Sequence, residues 1–443
     1  MFYRLMVMAG LVASIAEAQL GDYLGPSIMS RGPSNIGTRG GETVDLRFFA
    51  SVNAIYDTGL APLASDSSGK VVNPGGLYGV EAQVGAYGTH TWRNAALGLD
   101  YKGDFRHYNQ QSYFDGSDQQ LILGYSWQKS RRLKFETKGL IGTYSQGFGG
   151  VIGQTVTDST GSVNPTTGIL FDNRSTFFQG GMDATYLMST RNSFTVGGDG
   201  YDVKRQSSAL VGMHGYTLRG AFEHRLSMSS GIAVLYTHYH YDFPKAFGES
   251  NNDGIQLGYD TIFGRRRWNL RIMGGIIQTD VDGLQEVTLD PLVASILGVS
   301  TTVQTYHAKN IIPSGNASLT RRFKNSYLTF NYSRGISPGN GVYLTSRQEN
   351  AGAAATYNGI RKTSLSISGA YNSLSSLGQS VTPYHFYDAV AWASYSLSHT
   401  IQFVARFDSR YQDITEVNSF KRTSYRTSIG VSFSPGDIPL TLW

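Results

Sequence analysis

Arg406 and Arg410 stand four residues apart in IQFVARFDSRYQ, and Arg422 and Arg426 stand four apart in KRTSYRTSIGVSF. In an extended chain the side-chain period is two, so each pair falls on one face, with only Asp408 between them. Guanidinium groups grip carboxylate or phosphate through paired N–H donors, so the four describe a basic track for anionic solutes. Arg47, Lys134 and Lys138 fall on the corresponding face of other segments. Asp388 and Asp45, on strands expected next to the track, offer a blander reading in which carboxylates neutralise it. His238, His240 and Asp242 in IAVLYTHYHYD form a second set, in which two imidazoles at i and i+2 beside a carboxylate could ligate a metal ion. The same trio could serve as base and orienter, yet no Ser or Cys nucleophile in a matching context accompanies it. The chain therefore reads as no enzyme and calls for no cofactor. His214, His224 and His307 stand alone.

These residues are presented by a repeated element. In NAALGLDYKGDFR, Leu97, Leu99, Tyr101 and Phe105 oppose Asp100, Lys102, Asp104 and Arg106. In LKFETKGLIGT, Leu133, Phe135 and Ile141 oppose Lys134, Glu136 and Lys138. Alternation over ten or more residues predicts strands long enough to cross a bilayer at a tilt. Eight tight polar turns separate them, within THTWRNAAL, QKSRRLKF, LMSTRNSF, RLSMSSGIAV, IFGRRRWNL, TRRFKNSYL, NGIRKTSL and SLSHTIQF. Longer connections are expected around Tyr113, from Gly147 to Asn173, and in AFGESNNDG around Glu249. Eight hairpins plus one strand at each end make about eighteen strands in residues 44–434. An even number places both chain ends on the side of the short turns. Aromatic residues near segment ends, Tyr108, Tyr239, Tyr241, Phe243, Tyr384, Phe386 and Tyr387, are expected to form an interfacial girdle. DPLVASILGVST spaces Leu292, Val293, Ile296 and Leu297 as a short loop helix.

Composition fits this layout. Charged residues are 16% and mean hydropathy is −0.23. No apolar run of about 18 residues occurs, which excludes helical spans and leaves alternating strands as a way through a membrane. MFYRLMVMAGLVASIAEAQ has a basic n-region, an apolar stretch and a small-residue cleavage site, so residues 1–18 are expected to be a secretory signal peptide. Residues 19–43 are expected to lie in the periplasm or the lumen, and residues 435–443, broken by Pro435 and Pro439, as a periplasmic extension. The chain has no cysteine, which excludes a disulfide framework, and no concentrated basic run that would suit nucleic acid.

In leader, hairpin layout and final strand, the chain resembles the outer-membrane β-barrel proteins of Gram-negative bacteria, of porin-like kind. Tyr425, Ile429, Val431 and Phe433 match the outward face of a closing strand. The resemblance implies a transmembrane antiparallel β-barrel with short periplasmic turns and long extracellular loops, in contact with outer-membrane lipid. It also implies insertion by the outer-membrane assembly machinery, which reads a terminal aromatic strand; here Ser434 to Trp443 follow Phe433. The leading expectation is a cell outer membrane channel for small hydrophilic, including anionic, solutes. The alternatives are an outlet for a secreted polysaccharide chain and an outer-membrane enzyme.

Overall fold

The computed structural model describes residues 44–59, 64–65, 71–72, 75–109, 115–144, 174–208, 210–264, 267–288, 301–339, 344–377, 383–414, 420–434 and 438–440. The expected segments from Gly147 to Asn173 and from Asp290 to Thr301, and residues 1–43, lie wholly or almost wholly outside them.

Eighteen long strands follow one another. The first six are β1 (Val44–Asp57), β2 (Leu77–Thr91), β3 (Ala95–Tyr108), β4 (Gly116–Gln128), β5 (Leu133–Tyr144) and β6 (Ser175–Leu187). The next six are β7 (Asn192–Arg205), β8 (Met213–Arg225), β9 (Ser230–Phe243), β10 (Gly248–Phe263), β11 (Trp268–Thr288) and β12 (Thr301–Arg322). The last six are β13 (Ser326–Ser337), β14 (Ser346–Tyr357), β15 (Thr363–Ser376), β16 (Tyr384–Ser396), β17 (Ile401–Ile414) and β18 (Phe420–Phe433). Each pairs antiparallel with its sequence neighbours, and β1 also pairs with β18, from Ala50 opposite Phe433 to Asp57 opposite Arg426. The sheet is thus a closed barrel without a free edge. Closure is what a lipid environment requires, since an unpaired backbone group in hydrocarbon costs several kcal/mol.

The alternation sorts itself as a membrane barrel demands. Val52, Leu257, Ile311 and Ile367 are more than half exposed on the outside, while Ser51, Asn53, Glu81 and Arg406 are buried on the lumen side. Tyr425, Ile429, Val431 and Phe433 all face outward, as the closing-strand pattern predicts.

All eight tight turns occur where the sequence places them. Three share one device: Ser130, Ser189 and Ser398 each accept hydrogen bonds from the backbone N–H groups two and three residues on, at 3.0–3.2 Å. A hydroxyl substituting for a backbone acceptor lets a polar link reverse the chain within a few residues. Gly264 opens its turn at φ 61°, a conformation that suits a residue without Cβ.

Three expectations are corrected. Glu249 to Asp253 belong to β10, so the link around them shrinks to Pro244–Phe247, containing one 3₁₀ turn. Backbone pairing also runs past Ser434, because Ile438–Leu440 lies antiparallel to Val44–Leu46 and lengthens the seam. Finally, the named girdle aromatics mostly point inward: Tyr108, Tyr241, Phe243, Tyr384 and Phe386 are buried in the lumen, and Tyr387 faces out. Parity explains it. With Ile232, Val234 and Tyr236 outside, Tyr241 and Phe243 must be inside. The outward aromatics are others, among them Trp127 stacked with Phe135 at 5.8 Å and Phe263 with Trp268 at 6.0 Å near the tight-turn end.

Candidate functional site: an ion-paired belt on the lumen wall

Period-two placement brings inward-facing polar residues of nine consecutive strands, β14 through β18 and β1 through β4, to one side of the lumen. Asn350 donates to Asn372, and Asn372 Nδ2 to Asp388 Oδ2 at 3.3 Å. Arg410 Nε donates to Asp388 Oδ1 at 2.6 Å, while Arg406 Nε reaches both oxygens of Asp408 at 2.8 and 2.9 Å. Asp408 lies directly across from Arg426. Arg426 Nη2 donates to Glu81 Oε1 across β1, and Asn53 Nδ2 approaches the other carboxylate oxygen at 3.4 Å. Ser51 to Gln83 and Gln83 to Asp104 continue the row, and Arg106 Nη2 closes it on Asp118 at 2.6 Å. The Arg410 guanidinium also lies over the Phe386 ring at 5.1 Å.

The four arginines of this belt, Arg106, Arg406, Arg410 and Arg426, are each under 8% exposed. Six carboxylates, Asp57, Glu81, Asp104, Asp118, Asp388 and Asp408, share the same wall. Desolvated guanidinium groups require such partners, because an isolated buried charge is far too costly. The cations are therefore held in an interleaved ladder and not as an open basic track. Asp388 neutralises Arg410, as the blander reading allowed. Lys134 Nζ pairs with Glu136 at 2.6 Å, and Lys138 is half-buried on the same face of β5. The side chains of Arg47, Arg422 and Asp45 lie outside the described residues. Glu81 and Asp118 are the partners that inspection of the final hairpin misses. Finding Glu81 requires the closure register, since it meets Arg426 only when β18 lies beside β1 and β1 beside β2, whereas Asp118 meets Arg106 across the β3–β4 hairpin.

Two further features shape the lumen. On β6 to β8, Arg219 binds Asp183 at 2.6 and 2.8 Å and also Asp199. Gly197 faces Asp183, and a Cβ there would collide with the carboxylate, so this triad needs the glycine. At the long-loop end, Phe177, Tyr201, Val203, Met213, Tyr241 and Phe243 form an apolar cluster with Leu344. Leu344, just before β14, thus packs on the wall formed by β6 to β9 and narrows the mouth.

The histidine set has a different address. His238 and His240 face outward near the long-loop end, beside Tyr216. His238 Nδ1 lies 3.0 Å from Asp253, His240 Nδ1 2.8 Å from Asn251, and Asp242 pairs with His214 at 2.9 Å. Asp242 thus serves His214 and not the other two. Among the described residues, the trio that could hold a metal is Asp280, Asp282 and His307, whose ligand atoms lie within 4.8 Å of one another. There His307 Nδ1 approaches Asp282 at 2.6 Å and Lys309 Nζ approaches Asp280 at 3.2 Å, so both carboxylates already have side-chain partners. In the β3–β4 link, Asp115 accepts the Tyr108 N–H at 2.7 Å and lies 2.6 Å from His107 Nδ1, which together hold its carboxyl below the usual carboxylate range.

No family model matches the chain, and no curated protein matches it in sequence. Solved structures do resemble it. A BenF-like porin from Pseudomonas fluorescens Pf-5 aligns with 90% of this chain and 99% of its own, at 10% identity and TM-score 0.45. OccAB1 of Acinetobacter baumannii aligns with 88% and 97%, at 9% identity and TM-score 0.42. OccK2 (OpdF) of Pseudomonas aeruginosa, solved in complex with glucuronate, aligns with 90% and 100%, at 10% identity and TM-score 0.42. Closure of the barrel stands on the β1–β18 register itself.

Proposed function

We propose that this protein is an outer-membrane channel for small hydrophilic solutes, with its tight turns and both chain ends in the periplasm. The observation that carries the reading is the contrast between the two faces of one closed sheet. The outside is apolar, and the inside carries a continuous row of ion pairs and amides over half the circumference. Barrels of about this strand number enclose an aqueous passage. A lumen wall of this polarity is useful only to solutes that must stay hydrated or exchange hydrogen bonds on the way.

Anion handling is then local. A solute carboxylate passing the belt competes with Asp388 or Asp408 for the guanidinium of Arg410 or Arg406, in the same fork geometry. Among the described residues the belt sets six carboxylates against four arginines, a balance that opposes a strong anion preference in bulk conductance. Leu344, packed across the mouth, argues against a passage wide enough for a polysaccharide chain. Liposome swelling tests the reading. Proteoliposomes should admit small neutral and carboxylated sugars faster than protein-free liposomes, and Arg410→Gln should slow the carboxylated sugar more than the neutral one. Swelling indistinguishable from that of protein-free liposomes would refute it.

A further inference from the structure

The eight tight turns contain eleven Lys or Arg and no Asp or Glu, although the whole chain carries 32 acidic residues. The links KSRR (Lys129–Arg132) and GRRR (Gly264–Arg267) are the densest, Arg265 and Arg266 lying outside the described residues. At the other end the outward face is mixed, with Asp253, Asp280 and Asp282 among histidines. The tight-turn rim is thus a basic ring around the base of an apolar cylinder.

One sector adds a place for an acyl chain. On the outer face across β13 to β17 lies a groove of about 630 Å³, lined by Tyr357, Leu365, Ile367, Ala391, Ala405 and Phe407 among others. It begins at Phe323, in the turn that also carries Lys324. Beside it, the Asn358–Lys362 turn presents Arg361 and Lys362. Lys324, Arg361 and Lys362 are all exposed, and none forms an ion pair among the described residues. Lys362 holds φ at 63°, a left-handed conformation that a lysine rarely adopts. Arg321 stands over Trp268 and Phe323 at 4.6 and 4.5 Å, bracing the same corner.

We infer that this corner binds an anionic phospholipid of the periplasmic leaflet, with the phosphate at Lys324, Arg361 and Lys362 and one acyl chain in the groove. Charge complementarity selects this occupant. The cations stand at headgroup level without protein carboxylates, and the groove opens on the side that meets lipid tails. The inference rests on the membrane orientation proposed above but not on conduction, so the two can fail separately.

The test is native mass spectrometry of the full chain in detergent, with phosphatidylglycerol or phosphatidylcholine of identical chains added. One phosphatidylglycerol should be retained per barrel, in clear preference to phosphatidylcholine. A basic side chain at a lipid surface contributes roughly fivefold to anionic-lipid binding. The triple variant Lys324→Gln, Arg361→Gln, Lys362→Gln should therefore lose on the order of 100-fold in phosphatidylglycerol retention, with heat-modifiable gel mobility confirming a folded barrel. Ala391→Leu with Ala405→Leu should reduce retention by filling the groove. Equal retention of the two lipids by the unmodified protein would overturn the inference without any variant. So would retention unaffected by the charge-neutral triple, or a groove-filled variant that keeps its lipid and instead dissociates from dimer or trimer to monomer, which would assign the groove to a second copy.

Discussion

At the scale of single residues, the belt is a set of mutual obligations. Arg426 is buried and donates to Glu81, so Glu81→Ala would leave a guanidinium desolvated beside a shortened partner list. Removing one member of a buried pair costs about 3–5 kcal/mol. Urea-induced unfolding from detergent or bilayers should show a loss of that order, and Glu81→Leu combined with Arg426→Met should recover most of it. Gly197→Ala should act through a different cause, expelling Asp183 from Arg219, and should destabilise even though it removes no side-chain contact. The arginines themselves were legible in the sequence, because RFDSR and RTSYR repeat at spacing four. Their partners were not, since Glu81 is 345 residues from Arg426 and becomes its neighbour only through closure.

At the scale of elements, strands and turns were legible almost throughout, because lipid on one side and water on the other enforce period-two alternation over ten or more residues. The errors came where that alternation was not carried to the strand end. Tyr241 and Phe243 look like girdle residues because they are aromatic and close to the strand end, although parity with Val234 sends them inward. GESNND has the polarity of a loop, yet all six residues belong to β10, which rises beyond the apolar band. PGDIPLTLW looked unpaired because of its prolines, but Pro439 sits opposite Asp45 at the rim, where an absent N–H is tolerated. Deleting Ile438–Trp443 should therefore lower the unfolding temperature by loosening the Val44–Leu46 end of the seam, a shift readable by heat-modifiable gel mobility. Leu344→Ala should cost about 2–5 kcal/mol as a buried large-to-small change, and it should also enlarge single-channel conductance by opening the apolar mouth.

At the scale of the whole molecule, the fold is a cylinder with three chemistries. Its outside is apolar, its tight-turn rim is basic, and its lumen wall is an interleaved set of guanidinium and carboxylate groups. Composition alone announced the first, through low charge with no long apolar run. The rim was visible in the turn sequences once the turns were aligned with one another. The lumen chemistry required three-dimensional register. The central claim is that the polar interior conducts, and planar-bilayer recording of the purified full chain tests it most directly. Discrete conductance steps with at most weak ion selectivity are expected, enlarged in Leu344→Ala. Silence from correctly folded barrels, persisting in Leu344→Ala, would contradict it.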